Sequence, residues 1–175
     1  MTAGKTPIDK PIVLVGLMGV GKSTIGRRLA NRLGLPFVDS DDEIEAAAGM
    51  QVGELFENYG EDYFRDGERR VIARLIDGSV KVIATGGGAF VNDETRSLIL
   101  KDAMAIWLDA DIDVLAERVS RRDTRPLVRD TDPKMVLSEL AAKRNQYYAQ
   151  APIHVQSGEG AHEDTVDRIM EALAQ

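Results

Sequence analysis

The chain contains no cysteine, which excludes disulfide staples, thiolate nucleophiles and cysteine-based zinc or iron–sulfur sites, and permits a reducing compartment. Histidine is almost as scarce. With His154 and His162 alone, a histidine-rich metal cluster is not expected, and both are read as surface or loop residues. No apolar run approaches the length that crosses a bilayer, and Met1 to Lys10 carries polar residues and prolines where a secretory signal needs an apolar stretch. A soluble, cytoplasmic protein with no membrane partner is expected. Basic residues are outnumbered, 22 Lys and Arg against 29 Asp and Glu, for a net charge of −7. They come as scattered pairs such as Arg27 with Arg28, Arg69 with Arg70 and Arg121 with Arg122, not as a patch, so no nucleic-acid partner is expected.

What is present points to an α/β domain. A chain of 175 residues with 43% hydrophobic content fits one core, so residues 1–175 are read as a single domain. Short apolar runs alternate with longer amphipathic stretches, the pattern of a parallel sheet wrapped by helices. The strand candidates are Ile12 to Val15, Phe37 to Val38, Val80 to Ala84, Met104 to Leu108 and Ile153 to Val155. Ile25, Leu29 and Leu33 predict one buried helix stripe, and Val166, Ile169, Met170 and Leu173 predict another. Gly34 is placed to end the first of these helices, while Asp132 before Pro133 reads as the start of a helix running towards Tyr148. Two stretches interrupt the alternation: a helical insert at about 40–76 and a charged segment at about 121–132. The second is polar, contains Arg125 and has the character of a closing lid.

Gly16-Leu17-Met18-Gly19-Val20-Gly21-Lys22-Ser23 spells the phosphate-binding loop G-x-x-x-x-G-K-S between an apolar strand and an amphipathic helix. Its glycines let successive N–H groups turn towards phosphate oxygens, and the following helix adds its positive end. Lys22 supplies a cation for the outer phosphates, and Ser23 offers a hydroxyl to Mg²⁺. The motif identifies a nucleotide site, not the acceptor.

Acceptor candidates lie at two further strand ends. Asp39-Ser40-Asp41-Asp42 follows the second strand, where open α/β sheets bind ligands. Ser40 and Glu43 are able to form a capping box there, with Asp41 and Asp42 favouring the helix dipole. One carboxylate suffices for capping, which leaves Asp39 and Asp41 for Mg²⁺ and a substrate hydroxyl. Thr85-Gly86-Gly87-Gly88 follows the third strand; three consecutive glycines are entropically costly for a plain turn and suit direct contact between ligand and main chain. Arg65, Arg118, Arg125 and Arg144 lie in or beside the inserts and the late helix. Each read alone is a surface arginine, though arginine is the residue suited to bidentate recognition of carboxylate or phosphate.

Taken together, GLMGVGKST, FVDSDDEIE, YFRDGE, ATGGGA, Arg125-Pro126-Leu127 and Ala142-Lys143-Arg144 resemble the shikimate kinase family in order and spacing, from about Ile12 to Leu173. The resemblance implies a P-loop, nucleoside-monophosphate-kinase-like fold with a five-stranded parallel sheet in the order 2-3-1-4-5. It also implies transfer of the ATP γ-phosphoryl group to the 3-hydroxyl of shikimate, by a monomer. Under it Gly19, Val20, Gly21, Lys22, Ser23, Thr24, Arg118 and Arg125 contact ATP, and Asp41, Arg65, Gly87 and Arg144 contact shikimate. Ser23 and, through water, Asp39 hold Mg²⁺; Lys22, Asp41 and Arg125 are the catalytic set. In one departure, Gln146 stands where the family pattern Arg-x-Pro-x-Tyr has proline, which lets the helix continue past Arg144. The alternatives from the residues themselves are another small-molecule kinase, for gluconate or a nucleotide, and a non-catalytic nucleotide-sensing module.

Overall fold

The computed structural model describes residues 8–121, 132–158 and 160–174. Among the described residues five parallel strands form one sheet: β1 (Ile12–Val15), β2 (Phe37–Asp39), β3 (Val82–Ala84), β4 (Met104–Asp109) and β5 (Ile153–Gln156). Their order is β2-β3-β1-β4-β5, as expected. Ile12 sits opposite Val82 on one side and Met104 on the other, so β1 is the central strand. A strand covered on both faces reads as a continuous apolar run, and the fully buried Ile-Val-Leu-Val of β1 is one.

The helices are α1 (Lys22–Leu33), α2 (Ser40–Ala48), α3 (Val52–Tyr59), α4 (Glu61–Leu75), α5 (Asp93–Asp102), α6 (Ile112–Arg121), α7 (Pro133–Tyr148) and α8 (His162–Leu173). Local rules set several of their ends. Gly34 stops α1 in the left-handed conformation at φ 68°. Asp132 accepts the Lys134 amide at 3.1 Å with Pro133 at the first helical position. α7 runs unbroken to Tyr148, as glutamine in place of proline at 146 allows. The insert at 40–76 consists of α2, α3 and α4.

The third strand is shorter than the apolar run suggests. Val80 and Lys81 precede it because the chain leaving α4 turns through Asp77 and Ser79, and the Lys81 ammonium reaches back to the Leu75 carbonyl at 2.8 Å. Among the described residues no helix is long and apolar enough to cross a membrane. Parallel strands send all their carboxyl ends to one edge of the sheet, and the loops after β1, β2 and β3 therefore emerge side by side.

Candidate active site

The loop from Gly16 to Gly21 leaves β1 and delivers its last glycine as the cap of α1, with φ 96°. That helix has neither a side-chain cap nor an acidic residue in its first turn, so its first amides and its dipole stay available to an anion. Lys22 curls over the loop, its ammonium donating to the carbonyls of Gly16 at 2.6 Å and Leu17 at 3.1 Å. The Ser23 hydroxyl donates to Asp39 Oδ2, joining the first turn of α1 to the end of β2.

Asp39 also settles the start of α2. Its Oδ1 accepts the Asp41 amide at 2.9 Å, so Asp39 is the cap and the expected capping box from Ser40 to Glu43 does not form. The backbone is still extended at Asp39 (φ −102°, ψ 123°) and helical one residue later, which makes Ser40 the first helical residue and buries its side chain. Capping by Asp39 leaves the Asp41 carboxylate to line the cavity.

That cavity, about 340 Å³, is walled by the phosphate loop on one side and by Asp39, Asp41, Gly86 and Gly87 on the other. Of the residues expected at ATP, Gly19, Gly21, Lys22, Ser23, Thr24 and Arg118 line it. Val20 is buried, and its carbonyl accepts from Arg118 at 3.2 Å. Arg118 bonds also to the carbonyls of Gly19 (3.3 Å) and Gly158 (2.9 Å), strapping the phosphate loop to the segment after β5. Arg125 and all but the ends of the expected lid lie outside the described residues. His154 is exposed, as expected, but His162 departs from the surface-or-loop reading: it opens α8 against the loop, close enough that a methyl group on Gly21 would stand 3.0 Å from its Cε1. Its position just beyond a strand's carboxyl end was the available signal.

The glycine turn brings the acceptor candidates together. A methyl group at Gly86 would meet Asp41 Oδ1 at 3.0 Å and Glu68 Oε2 at 3.2 Å; at Gly87 it would meet Arg144 Nη1 at 3.2 Å; at Gly88 it would overlap the guanidinium of Arg65. Each glycine in the run thus faces a charged side chain, and that close approach is why side chains are missing there. Arg65 and Arg144, from α4 and α7, share a second hollow of about 210 Å³ with Gly88, Val91 and Asn92. Thr85 ties the turn to the central strand through its hydroxyl, which donates to the Leu14 carbonyl at 2.8 Å.

Glu68 belongs to this group too: it closes the YFRDGE string, where only the arginine is assigned a role. It is 1% exposed and binds Arg65 Nη1 at 2.9 Å. A signal existed: Phe64, Val71, Ile72 and Leu75 form the buried stripe of α4, and Glu68 occupies a position in that stripe where an apolar residue is the rule. Burial pushes its carboxyl from 4.5 up to about 7, against the pull of the Arg65 guanidinium. A carboxyl raised on folding stabilises the fold while protonated, fully so below its unfolded value of 4.5, and that contribution is lost as pH rises through about 7. Glu68→Gln should therefore flatten the dependence of Tm on pH between these limits, where the wild type should lose about 7–14 °C relative to the variant. Parallel profiles for the two proteins would show that Glu68 does not titrate there.

A sequence model of the shikimate kinase family matches residues 18–174. The chain belongs to the shikimate kinase family. A shikimate kinase from Caulobacter vibrioides is 61% identical over 166 residues, covering 95% of this chain and 83% of that one. Another, from Zymomonas mobilis, is 56% identical over 96% of each chain. Among solved structures, a shikimate kinase from Acinetobacter baumannii in complex with shikimate has a TM-score of 0.90 at 34% identity, covering 97% of this chain and 94% of that one. Membership of the shikimate kinase family agrees with the sheet order and with an ATP-dependent kinase, while the paired arginines and the glycine turn give that membership a physical basis in this chain.

Proposed function

We propose that the protein transfers the γ-phosphoryl group of ATP to the 3-hydroxyl of shikimate, giving shikimate 3-phosphate and ADP. One observation carries this reading. The phosphate loop and Asp41 line a single cavity, and the glycine run beside them faces two guanidinium groups suited to a carboxylate. A gluconate or nucleotide kinase has no comparable need for a carboxylate-binding arginine pair opposite an Asp-Ser-Asp turn.

In this mechanism the loop amides, the α1 dipole and Lys22 hold the donor phosphates. Lys22 has to give up its two carbonyl bonds to do so. Arg65 and Arg144 grip the acceptor carboxylate and so aim the ring hydroxyl towards the cavity. Asp41 orients that hydroxyl and takes its proton as the new P–O bond forms, while the bond to the β-phosphate oxygen breaks and ADP leaves. Ser23 and Asp39 present adjacent hard oxygens, a donor set that fits Mg²⁺, an ion that keeps several waters and needs few protein ligands. When bound, the ion supplies charge neutralisation on the phosphate oxygens. Arg125 in the lid segment completes the catalytic set. The enzyme acts as a cytoplasmic monomer on two free small molecules.

ADP release measured with shikimate and Mg·ATP tests the proposal. Shikimate-dependent ADP formation is expected. Turnover on gluconate or a nucleotide but not on shikimate would replace the acceptor, and ATP binding with no turnover on any of them would favour the sensing module.

A further inference from the structure

Three glycines in succession give the turn after β3 more conformational freedom than any other part of the site, so something has to fix its peptides. The first and last carbonyls are held locally: Gly86 accepts the Ala89 amide at 3.2 Å and Gly88 accepts the Val91 amide at 3.2 Å. The middle one is held from a distance, since the Gly87 carbonyl accepts the hydroxyl of Tyr148 at the end of α7.

Tyr148 is fully buried, with its ring 5.9 Å from that of Trp107. A phenylalanine would fill the same space, and a buried hydroxyl is unfavourable unless it is bonded. The hydroxyl therefore points to a task beyond packing. Tyr148 lies four residues after Arg144 on one helix, so the two side chains share a face. Burial raises the phenol above its ordinary value, while Arg144 and Arg65 nearby draw it down, and the group remains a proton donor at neutral pH. A trans peptide is planar, with its carbonyl and the next N–H pointing in opposite directions, so a carbonyl fixed at Gly87 also fixes where the Gly88 amide points.

We propose that Tyr148 is a positioning residue for the acceptor: its hydroxyl locks the Gly87–Gly88 peptide and couples it to Arg144, so that turn and guanidinium present one preformed anion site. The claim rests on the reading of that site as a carboxylate grip. Without the hydroxyl the ring still fills its hole, but the middle peptide of the glycine run is free to rotate and the Gly87 carbonyl loses its donor.

Tyr148→Phe in the intact enzyme tests this. The acceptor KM should rise about tenfold while the ATP KM stays within about twofold, because the lost contact serves only one substrate. A role confined to packing would lower Tm and leave both KM values unmoved. The cycle with Arg144→Ala supplies the second readout: the double variant should be no worse in kcat/KM for the acid than Arg144→Ala by more than about twofold, since both changes damage one unit. An unmoved acceptor KM in Tyr148→Phe, with wild-type turnover on shikimate intact, overturns the positioning role alone, as does strict additivity in the cycle. A wild-type enzyme inactive on shikimate overturns the acceptor assignment and this proposal with it.

Discussion

Asp41→Asn is expected to fold normally and bind ATP, yet to turn over about 10³-fold more slowly, within the range ordinarily lost with a general base. The side chain is isosteric, and the helix start does not depend on it, because Asp39 supplies the cap and Asp41 contributes only its main-chain amide there. What the amide cannot supply is a negative oxygen in the cavity shared with Lys22 and Ser23, beside Gly86. Loss should appear in kcat far more than in KM for ATP, since the donor is held from the opposite wall. Steady-state kinetics with a thermal melt decide it: near-normal kcat in a folded variant removes Asp41 from the chemistry, and a large fall in Tm reassigns it to stability.

The second large effect is expected at the arginine pair. Arg65→Ala or Arg144→Ala should each raise the acceptor KM about 100-fold, the loss typical of a charge-assisted bond to a buried anion, with the ATP KM moving no more than about twofold. Arg65→Ala carries an added cost, because Glu68 is buried beside it and loses its counter-charge. Gly88→Ala makes a gentler probe of the same contact. The new methyl would overlap the guanidinium tip of Arg65 while the backbone φ of −95° tolerates alanine, so the side chain should move aside at little cost in stability. Acceptor KM should then rise without a matching fall in Tm. Equal effects on the two substrates in the arginine variants would put these residues at the wrong ligand.

The parts of this architecture set by local rules were legible before any coordinates. The phosphate loop, Gly34 as the stop of α1 and Asp132-Pro133 as the start of α7 each follow from what one residue's backbone or side chain permits. Legibility ended where two neighbours have the same local ability. Asp39 and Ser40 are both good caps, and the choice between them depends on where the extended backbone of β2 ends, which pairing with β3 decides. Val80 and Lys81 failed for a similar reason, since their apolar and aliphatic character suits a strand but the turn out of α4 holds them outside it.

Convergence was harder still. Nothing in the spacing of Arg65 and Arg144 says that α4 and α7 bring them to one hollow; the family resemblance had to supply that pairing, and the geometry now gives it a cause. Glu68 ends the YFRDGE string and Tyr148 fills the tyrosine of the Arg-x-Pro-x-Tyr pattern, yet neither position by itself said what its side chain would touch. Both are understood only when their surroundings are known.

The position of β1 between β3 and β4 divides labour across the molecule. In the proposed reaction the nucleotide is held by the phosphate loop with α1 and α6, beside the start of α8, while the second substrate is held by the turn after β3 and the α2–α4 insert, with α7 lending one side chain. Recognition of the two reactants is thus separable. An engineer wishing to redirect this catalyst to another alcohol could rebuild roughly the stretch from Ser40 to Asn92 and retune Arg144, leaving the energy-carrying half of the molecule as it stands.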